Sequence, residues 1–327
     1  MSKDFMKVLI GPNGDMDLEN SIPELSDQFP DVEFLVSTSY VEATQQVVDV
    51  DIMVGWINQA ILEAAKNLKW IQSISSGTNY YLNIPGLVDS DILLTSASGT
   101  HGACLAESAM GMIFAFTRGI RKCIQSQNTR QWSEHRYIRG NMKELTGSTM
   151  GIVGFGASGR ALARRAFAFD MRIVAVDMFP SDKPEYVDHL WGIDQLSDLL
   201  QTSDYVVIMA PYTDQTKAMI GTEELAEMKT SAMLVIMSRG GIVDQDALAK
   251  TLKNGHLFAA ASDVFSPEPL SENSDLWDLE NMLITPHIAG GTQLEGQYVT
   301  QIFFENLKRF VRGDYELKNL VHKKRGF

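Results

Sequence analysis

Short apolar segments along the chain alternate with longer stretches in which apolar residues recur at helical spacing. In the first third of the chain, we predict strands at 7–10, 33–36, 51–54, 70–74 and 92–95, and helices at 17–28 and 59–67. Strands that alternate with helices in this way are typical of a mostly parallel sheet. Residues 1–98 are therefore predicted to form an α/β domain.

A long apolar stretch at 101–121 is predicted to be a helix that breaks near Gly111 or Gly119. Its continuous apolar character predicts burial between domains or subunits. The basic and polar stretch that follows is interpreted as a solvated face, although Trp132 and Tyr137 among its charges favour an interface.

Beyond this arm, the alternation of strands and helices resumes. Strands are predicted at 150–153, 172–176, 205–210, 233–237, 258–264 and 282–285, and helices at 193–200, 221–228, 243–253 and 294–311. These strands, about six, have the number expected of a dinucleotide-binding sheet. The predicted fold class is thus α/β.

The stretch at 149–177 contains Gly154, Gly156 and Gly159 in the spacing G-x-G-x-x-G. The first glycine permits a tight turn, the second lets a pyrophosphate approach the backbone, and the third lets helix pack closely on strand. The phosphates are expected at the N-terminus of the following helix, where N–H groups and the helix dipole favour negative charge. A dinucleotide site requires a strand, a helix, a second strand and an acidic residue at the end of that strand. The sequence has all of them in this order, with Asp177 as the acidic residue, so an ordinary strand–helix turn is disfavoured.

Asp177 also bears on the choice of cofactor. A carboxylate at the end of the second strand accepts hydrogen bonds from a ribose diol and repels a 2′-phosphate. The residues at 178–181 supply no arginine to bind such a phosphate. The sequence therefore predicts NAD rather than NADP.

Composition narrows the class of protein. The length of 327 residues suits two domains, and 45% hydrophobic with 21% charged residues is typical of a soluble globular protein. The net charge of −13 disfavours a nucleic-acid partner, since such proteins are usually basic. Cys104 and Cys123 are interpreted as free buried thiols in a reducing cytoplasm. The sequence shows neither a secretory signal nor an apolar run of membrane-spanning length, so no membrane partner is expected.

Polar side chains lie at the ends of the last three predicted strands before the C-terminal helix: Arg239, then Asp263 with Glu268, then His287. Ligands of open α/β sheets bind outside the carboxyl ends of the strands, where the glycine turn also lies. Taken singly, these residues also fit a capping arginine, a loop carboxylate and a structural histidine. Their convergence beside a nucleotide site favours a catalytic group.

Each of these side chains suits hydride chemistry on a 2-oxo acid. Arg239 can grip a carboxylate or polarise a carbonyl by paired hydrogen bonds. A histidine such as His287 can give a proton to the oxyanion that forms as hydride arrives. Glu268 beside it would fix the ring tautomer and favour the imidazolium.

A turn of small residues at 75–79 directly follows the predicted strand at 70–74. Backbone N–H groups at the end of a strand can form a nest that holds an anion such as a carboxylate. On its spacing alone, however, a plain loop is the favoured interpretation of this turn.

The sequence resembles the D-isomer-specific 2-hydroxyacid dehydrogenase family along nearly its whole length. The resemblance rests on VGFGASGRALARRAFAFDMRIVAVD, SRGGIVDQDAL, DVFSPEPL and TPHIAGGT in this order and, less specifically, on SSGTN, SGTHGACLAESAMGMIFAFTR and NLVHKKRGF. It implies two Rossmann-like or flavodoxin-like parallel-sheet domains with the active site in a cleft between them. Residues 1–98 with 290–327 would form a discontinuous substrate-binding domain, and residues 99–289 the NAD-binding domain.

The resemblance also assigns roles to individual residues. The implied catalytic residues are Arg239, Glu268 and His287, and the implied substrate-binding residues are Ser76, Gly77, Thr78, Arg239 and His287. The implied NAD-binding residues are Gly154, Gly156, Ala157, Ser158, Gly159, Asp177, Ala210, Pro211, Thr216, Ser238, Asp263 and His287. Within these sets, backbone N–H groups at 76–78 would hold the substrate carboxylate, and Asp263 the nicotinamide carboxamide.

Two positions refine the resemblance. Ser158 stands where the family often has an apolar residue, which bears on packing and not on cofactor binding. Formate dehydrogenase relatives carry glutamine at the position of Glu268, so a glutamate here favours acid–base catalysis. The family resemblance further implies a homodimer joined through the NAD domains, in which the arm at 132–139 reaches the neighbouring active site in one interpretation.

The sequence thus predicts an NAD-dependent cytoplasmic enzyme that interconverts a 2-oxo acid and a D-2-hydroxy acid, with glyoxylate or hydroxypyruvate as substrates and no metal. Two alternatives stay open. One is an NAD(H)-sensing, corepressor-like binding protein of the same fold, and the other is a dehydrogenase of phosphite or another small anion. The lack of a long Ser/Pro-rich tail counts against the corepressor.

Overall fold

Two compact units make up the chain in the computed structural model, which describes residues 5–14, 16–132 and 135–325. Met1–His101 and Thr292–Phe327 form the first unit, and Gly102–Gly291 form the second. The boundaries drawn from the sequence, after residues 98 and 289, lie slightly before those of the structure. Each unit contains one parallel sheet, so the predicted fold class is confirmed.

The sheet of the first unit consists of β1 (Met6–Ile10), β2 (Val32–Val36), β3 (Ile52–Val54), β4 (Trp70–Gln72) and β5 (Leu93–Thr95). The strands pair in the order β2-β1-β3-β4-β5, and these pairings are all parallel. This is the flavodoxin-like order, in which the winding of the chain reverses beside the first strand. All of these strands lie on segments that the apolar pattern predicts.

The helices between these strands are α1 (Ile22–Gln28), α2 (Tyr40–Gln46), α3 (Gln59–Ala64) and α4 (Asn79–Leu82). The helix predicted at 17–28 begins instead with a 3₁₀ turn, because Pro23 fits only the first turn of an α-helix. The apolar pattern misses α2. A signal for it was present in the S-x-x-E spacing at 39–42, where the Glu42 N–H donates to Ser39 Oγ at 3.2 Å.

The second unit begins with α5 (Gly102–Thr117), α6 (Ile120–Asn128) and α7 (His135–Gly140). The predicted helix at 101–121 breaks at Gly119, whose φ of 66° is left-handed, and not at Gly111. The buried face of α5 packs against the sheet and helices of its own unit. In the arm predicted at 132–139, residues 133 and 134 lie outside the described residues, as do the last two of the C-terminal segment NLVHKKRGF.

The elements of the second sheet follow in the order β6 (Thr149–Val153), α8 (Ala157–Phe167), β7 (Arg172–Asp177), β8 (His189–Gly192), α9 (Leu196–Thr202), β9 (Tyr205–Ile208), α10 (Thr222–Glu227), β10 (Met233–Ile236), α11 (Gln245–Lys253), β11 (Ala259–Ser262) and β12 (Met282–Ile284). The strands pair in the parallel order β12-β11-β10-β9-β6-β7-β8. This is a dinucleotide-binding order, and its winding reverses between β6 and β9.

The sheet has seven strands among the described residues, one more than predicted. The additional strand is β8, a half-exposed edge strand of sequence HLWG that has no apolar run to mark it. The predicted strands at 205–210 and 258–264 end earlier, at Ile208 and Ser262. Ala210 and Asp263 therefore belong to loops at the carboxyl edge of the sheet.

The chain then returns to the first unit as α12 (Glu295–Val311). Its predicted packed face is confirmed: Ile302, Phe303, Leu307 and Phe310 are all buried. The indole of Trp70, at the start of β4, lies 5.4 Å from the ring of Phe310 and 5.5 Å from that of Phe303. These contacts fix α12 against one face of the first sheet.

The two cysteines are more exposed than the sequence predicts. Both cysteines are free, but Cys104 is only half-buried and Cys123 is exposed, so the prediction of buried thiols is wrong.

Among the described residues, no single helix is long and apolar enough to cross a membrane. The helices α5 and α6 pass that test only as a pair, and they are bent by 67° relative to each other.

Candidate active site

The glycine turn between β6 and α8 is built by close backbone contacts. Gly154 has φ 94°, and its N–H donates to Val176 O at 2.8 Å. A Cβ at this position would lie 2.4 Å from the backbone nitrogen of Ala210, which follows β9. Only glycine therefore fits here, at the point where the winding of the sheet reverses.

The other two glycines have different surroundings. A Cβ at Gly159 would lie 2.3 Å from Gly154 O, so this glycine lets α8 pack on the turn. A Cβ at Gly156, by contrast, would have no atom within 4 Å, and this N-cap residue of α8 makes no side-chain hydrogen bond to the helix. The open face at Gly156, before the N-terminus of an 11-residue helix, fits a bound pyrophosphate.

Asp177 closes this turn from the end of β7. Its Oδ2 accepts the N–H of Phe155 at 2.6 Å, and its Oδ1 accepts the N–H of Phe179 at 2.9 Å. A carboxylate has about four acceptor sites, so two stay available for the hydroxyls of a ribose. A pocket of about 210 Å³ adjoins the turn and is lined in part by Gly156 and Asp177.

Arg160 also lines this pocket, and sequence reasoning missed it. Its guanidinium donates to Ser181 O at 2.6 Å and to Asp182 O at 2.8 Å, and it lies 4.8 Å from the ring of Phe155. The lack of an arginine at 178–181 does not bear on this side chain. Its signal in the sequence is a cation one position after the third glycine, on the first turn of α8.

The loops after β9 and β10 carry the remaining residues that the family resemblance assigns to the cofactor. Thr216 is buried, and its hydroxyl donates to Pro211 O at 2.7 Å and accepts the N–H of Thr213 at 2.8 Å, which fixes the loop that begins at Ala210. Ser238 Oγ is buried and has no hydrogen-bond partner among the described residues. An orphaned hydroxyl at the carboxyl edge of the sheet fits a cofactor contact.

His287 and Glu268 form a hydrogen-bonded pair at the same edge. His287 Nδ1 lies 2.7 Å from Glu268 Oε2, and the other carboxylate oxygen accepts the N–H of Phe265 at 2.9 Å. The imidazole is 48% exposed, so one side of the ring is open to a ligand. The sequence-based pairing of these residues is therefore present in the structure, with the carboxylate fixed at both oxygens.

Arg239 lies beside this pair because two loops approach closely. A Cβ at Gly240 would lie 1.9 Å from Phe265 O, so only glycine lets the loop after β10 contact the loop that carries Glu268. The guanidinium of Arg239 is partly buried and donates to Ser238 O at 2.6 Å. Burial lowers the pKa of Arg239 from its ordinary value, and the charge of Glu268 partly opposes that change.

The pKa of Glu268 is lowered from its ordinary value. Burial works in the opposite direction, but the hydrogen bonds from His287 and the Phe265 N–H, with the charges of His287 and Arg239, outweigh it. Glu268 is therefore ionised at neutral pH, which is the form that supports an imidazolium on His287.

Asp263 holds the loop of His287 in place. The carboxylate is 1% exposed; its Oδ1 accepts from the Thr285 hydroxyl at 2.5 Å and the Ile288 N–H at 3.0 Å, and its Oδ2 accepts the Ala289 N–H at 2.9 Å. The His287 N–H donates to Asp263 O at 2.8 Å, which supports a left-handed φ of 54° at the histidine. These contacts leave Oδ2 one acceptor site for the carboxamide contact that the family resemblance implies.

Gln245 holds the neighbouring loop and was also missed from the sequence. Its amide donates to Ser266 O at 3.0 Å and accepts the Ser266 N–H at 2.8 Å. In the chain, Ser266 lies between Phe265 and Glu268, and these two residues are joined by the hydrogen bond from the Phe265 N–H to the Glu268 carboxylate. No pattern in the sequence marks Gln245, because the contact joins segments that are 21 residues apart.

The loop at 75–78 belongs to the first unit and follows β4. Ser75, Ser76 and Gly77 are partly exposed, whereas Thr78 is buried. The Gly77 N–H donates to Ser75 Oγ at 3.2 Å, and Ser76 Oγ contacts Ala97 O at 3.0 Å. The structure thus gives a compact, hydrogen-bonded loop, and its anion-binding role stays a prediction. Among the described residues, no group of three or more side chains that could hold a metal is present.

Replacing Glu268 by glutamine is expected to flatten the acid side of the pH–stability profile. The folded-state pKa lies below the ordinary value of 4.5, so the ionised carboxylate stabilises the fold above that value, and this contribution is lost as pH falls through the lowered pKa. Melting temperatures between about pH 6 and pH 3 measure the effect. Glu272→Gln, at an exposed position nearby, is the control. Equal acid destabilisation of Glu268→Gln and wild type would contradict the pairing.

The second unit matches a known family. The model for "D-isomer specific 2-hydroxyacid dehydrogenase, NAD binding domain" covers residues 110–289. The chain therefore belongs to the D-isomer-specific 2-hydroxyacid dehydrogenase family, as the sequence motifs predict. Membership makes it an oxidoreductase with an NAD-binding domain of Rossmann type.

Individual relatives agree with this assignment. The glyoxylate reductase of Thermofilum pendens is 35% identical over 79% of this chain and 76% of that protein. The hydroxypyruvate reductase of Thermotoga maritima is 33% identical over 82% of this chain and 81% of its own length. A solved D-isomer specific 2-hydroxyacid dehydrogenase family protein from Aeromonas salmonicida has a TM-score of 0.84 at 25% identity, covering 97% of this chain and 99% of that one.

Proposed function

We propose that this protein interconverts a 2-oxo acid and a D-2-hydroxy acid with NAD as the hydride carrier. The observation that carries the proposal is the 2.7 Å contact between His287 and Glu268, with Arg239 beside it, in the unit that also holds the glycine turn. A proton-exchanging group and an anion-binding group at the edge of a dinucleotide-binding sheet are what reduction of a 2-oxo acid requires.

A nicotinamide cofactor held by the second unit would supply or accept the hydride at C2 of the substrate. His287 exchanges the proton of the carbonyl oxygen through Nε2, since Nδ1 faces Glu268. The ionised Glu268 holds the ring orientation and stabilises the imidazolium that the reductive direction consumes. Arg239, which keeps its positive charge in proteins, binds the carboxylate and polarises the carbonyl.

In the first unit, the loop at 75–78 is proposed to bind the substrate carboxylate through the backbone N–H groups of Ser76, Gly77 and Thr78. In the second, we assign the pyrophosphate to the open face at Gly156, next to Ala157 and Ser158. The nicotinamide half is assigned to the loops that carry Ala210, Pro211, Thr216, Ser238 and Asp263. Support for these assignments comes from the open space at Gly156 and the orphaned hydroxyl of Ser238.

Glyoxylate or hydroxypyruvate is proposed as the substrate, in the reductive direction. The names of the relatives from Thermofilum pendens and Thermotoga maritima support this choice. We further propose a cytoplasmic homodimer joined through the second unit. In support, four exposed apolar side chains lie on or beside α6 and α7, namely Ile120, Ile124, Trp132 and Tyr137.

Initial rates with NADH and a panel of small 2-oxo acids test the proposal directly. Glyoxylate and hydroxypyruvate are expected to be reduced, and D-2-hydroxy acids to be oxidised in preference to the L-isomers. NADH binding without turnover of any panel member would favour the corepressor-like alternative. Turnover of phosphite but of no 2-oxo acid would favour the dehydrogenase of an inorganic anion.

The preference for NADH over NADPH is expected to depend on Asp177. A carboxylate near the ribose repels a 2′-phosphate, so Asp177→Ser should lower the NADH:NADPH ratio of kcat/KM by about tenfold or more. Arg160 lines the same pocket, and Arg160→Gln is expected to weaken residual use of NADPH without weakening that of NADH. Arg164→Gln, at an exposed position of the same helix, is the matched control. A wild-type preference for NADPH would contradict the assignment of NAD.

A further inference from the structure

Three polar side chains meet inside the first unit, where they are fully buried. Gln72 is the last residue of β4, Thr95 is the last residue of β5, and Asn306 lies within α12. Burying a polar side chain costs free energy unless it is hydrogen-bonded, and a fully bonded set of such groups makes its surroundings rigid. The partners of these side chains therefore show which part of the unit is being held.

Hydrogen bonds join the three side chains and Trp70 into one buried polar network. The Trp70 indole N–H donates to Thr95 Oγ1 at 2.8 Å, and the Thr95 hydroxyl donates to Gln72 Oε1 at 2.8 Å. The Asn306 amide donates to the same Gln72 oxygen at 3.3 Å. Gln72 Nε2 donates to Ser73 O at 2.8 Å, so both ends of the Gln72 amide have fixed partners.

On one side, this network reaches the segment at 317–321. The Asn306 carboxamide pairs with the backbone of Lys318: its Oδ1 accepts the N–H at 2.7 Å, and its Nδ2 donates to the carbonyl at 3.0 Å. Leu320 forms an antiparallel bridge with Thr95. The segment at 317–321 is thus held by α12 and lies beside β5.

On the other side, the network reaches the start of the loop at 75–78. Ser73 directly follows Gln72 and is fully buried, and its N–H donates to Thr95 O at 2.8 Å. The Ser73 hydroxyl donates to Ser75 O at 3.0 Å and accepts the Ser75 N–H at 3.0 Å. Gln72 therefore holds the peptide group from which the loop departs, and Ser73 holds the first residue of the loop.

We propose that Gln72 and Asn306 are positioning residues for the loop at 75–78, which they couple to α12 and to the segment at 317–321. The inference rests on the proposed function, in which backbone N–H groups of this loop bind the substrate carboxylate. Donors that are already held in place bind more tightly than donors that must be ordered on binding. Both side chains are buried, so they act through the loop and not by contact with the substrate.

Loss of the Gln72 amide should act on substrate binding and not on the chemical step. Methionine has a similar length, so Gln72→Met fills the space but removes the partners of Asn306 Nδ2 and Ser73 O. We expect KM for the 2-oxo acid to rise about tenfold while kcat changes less than about twofold, because the carboxylate is bound alike in the ground state and the transition state. The Kd for NADH, which is assigned to the second unit, should also change less than about twofold.

Val47→Ala is the matched control for lost stability. Val47 is fully buried after α2, on the face of the same sheet that lies opposite α12. Both variants should melt at a lower temperature than the wild type, but only Gln72→Met should raise KM when rates are measured well below both melting temperatures. An equal rise of KM in both variants, or an unchanged KM in Gln72→Met, would show a purely structural role and overturn the inference.

Thr95→Val tests the same network with a smaller change. Valine has a similar shape and suits a strand, but it removes the hydroxyl that donates to Gln72. KM is expected to rise about threefold at an unchanged kcat. This variant decides the question if Gln72→Met does not fold, and a KM equal to that of the wild type would then overturn the inference.

A double-mutant cycle tests the coupling to α12. Gln72→Met and Asn306→Ala remove the two partners of one contact, so Asn306→Ala should raise KM in the wild type and have little further effect in Gln72→Met. Independent, multiplicative effects on KM would overturn the coupling of Asn306 through Gln72.

Hydrogen exchange, followed by NMR on the full-length protein without ligands, gives a readout that needs no turnover. The Ser75 N–H should exchange about tenfold faster in Gln72→Met than in Val47→Ala, whereas amides of β1 should exchange alike in the two variants. An unchanged exchange rate at Ser75 would overturn the positioning role. Absence of 2-oxo acid reduction by a wild type whose Ser75 exchange depends on Gln72 would instead refute the proposed function alone.

Discussion

Replacement of His287 by asparagine is expected to lower kcat for 2-oxo acid reduction by about 10²–10⁴-fold, the usual range for the loss of a general acid. Asparagine is chosen because it tolerates the left-handed φ of 54° at this position better than most residues do. The loop should therefore keep its fold, with Asp263 still accepting the N–H groups of Ile288 and Ala289. Steady-state rates at saturating NADH measure the effect.

The control for this experiment is His322→Asn, at an exposed histidine of the first unit, which should leave kcat unchanged. NADH affinity, followed by fluorescence, should change far less than kcat in His287→Asn, because the glycine turn lies in other loops. A kcat within about threefold of the wild type would rule out His287 as the proton-exchanging group.

Alanine substitutions at two glycines of the turn between β6 and α8, Gly154 and Gly156, are expected to impair different properties of the protein. Alanine at Gly154 would bring its Cβ within 2.4 Å of a backbone atom and hold a left-handed φ of 94°, so Gly154→Ala should lower the free energy of unfolding by about 3 kcal/mol or more. Alanine at Gly156 meets no atom within 4 Å at an ordinary φ of −73°, so the apo protein should stay within about 1 kcal/mol of wild type.

Gly156→Ala is expected to impair NADH binding, although it leaves the stability of the apo protein nearly unchanged. The methyl group of Gly156→Ala occupies the space assigned to the pyrophosphate, and the Kd for NADH should rise at least about tenfold. Thermal melts with and without NADH separate the two effects, and Gly111→Ala, at a helical position that also has open space, is the control. An unchanged Kd in Gly156→Ala would place the phosphates elsewhere.

The parts of the fold that the sequence predicts are those encoded by local patterns. Buried strands such as Thr149–Val153 are continuous apolar runs, and the turn at Gly154 to Gly159 has a spacing that only a few backbone geometries need. Two of the elements that were not predicted lack such a pattern. The helix Tyr40–Gln46 is polar with few periodic apolar residues, and the edge strand His189–Gly192 buries too little to need an apolar run.

The residues of the candidate active site also divide into those that the sequence predicts and those that it does not. Arg239, Glu268 and His287 are predictable because parallel strands deliver their carboxyl ends to one edge. The residues that hold them are not, since their contacts depend on how loops approach: Gly240 against Phe265, and Gln245 against Ser266. The contact between Gln72 and Asn306 spans 234 positions of the chain, and no spacing rule connects them.

Direct transfer of a hydride from NADH to C2 of the 2-oxo acid can be followed by one isotope measurement. Hydroxypyruvate is incubated with the full-length protein and NADH that carries deuterium at the transferable position of C4, and the product is examined by proton NMR and by chiral chromatography. We expect a D-2-hydroxy acid with deuterium at C2, and at least about a hundredfold less of it when His287→Asn replaces the wild type over the same time. A product without deuterium at C2, or of the L configuration, would contradict it.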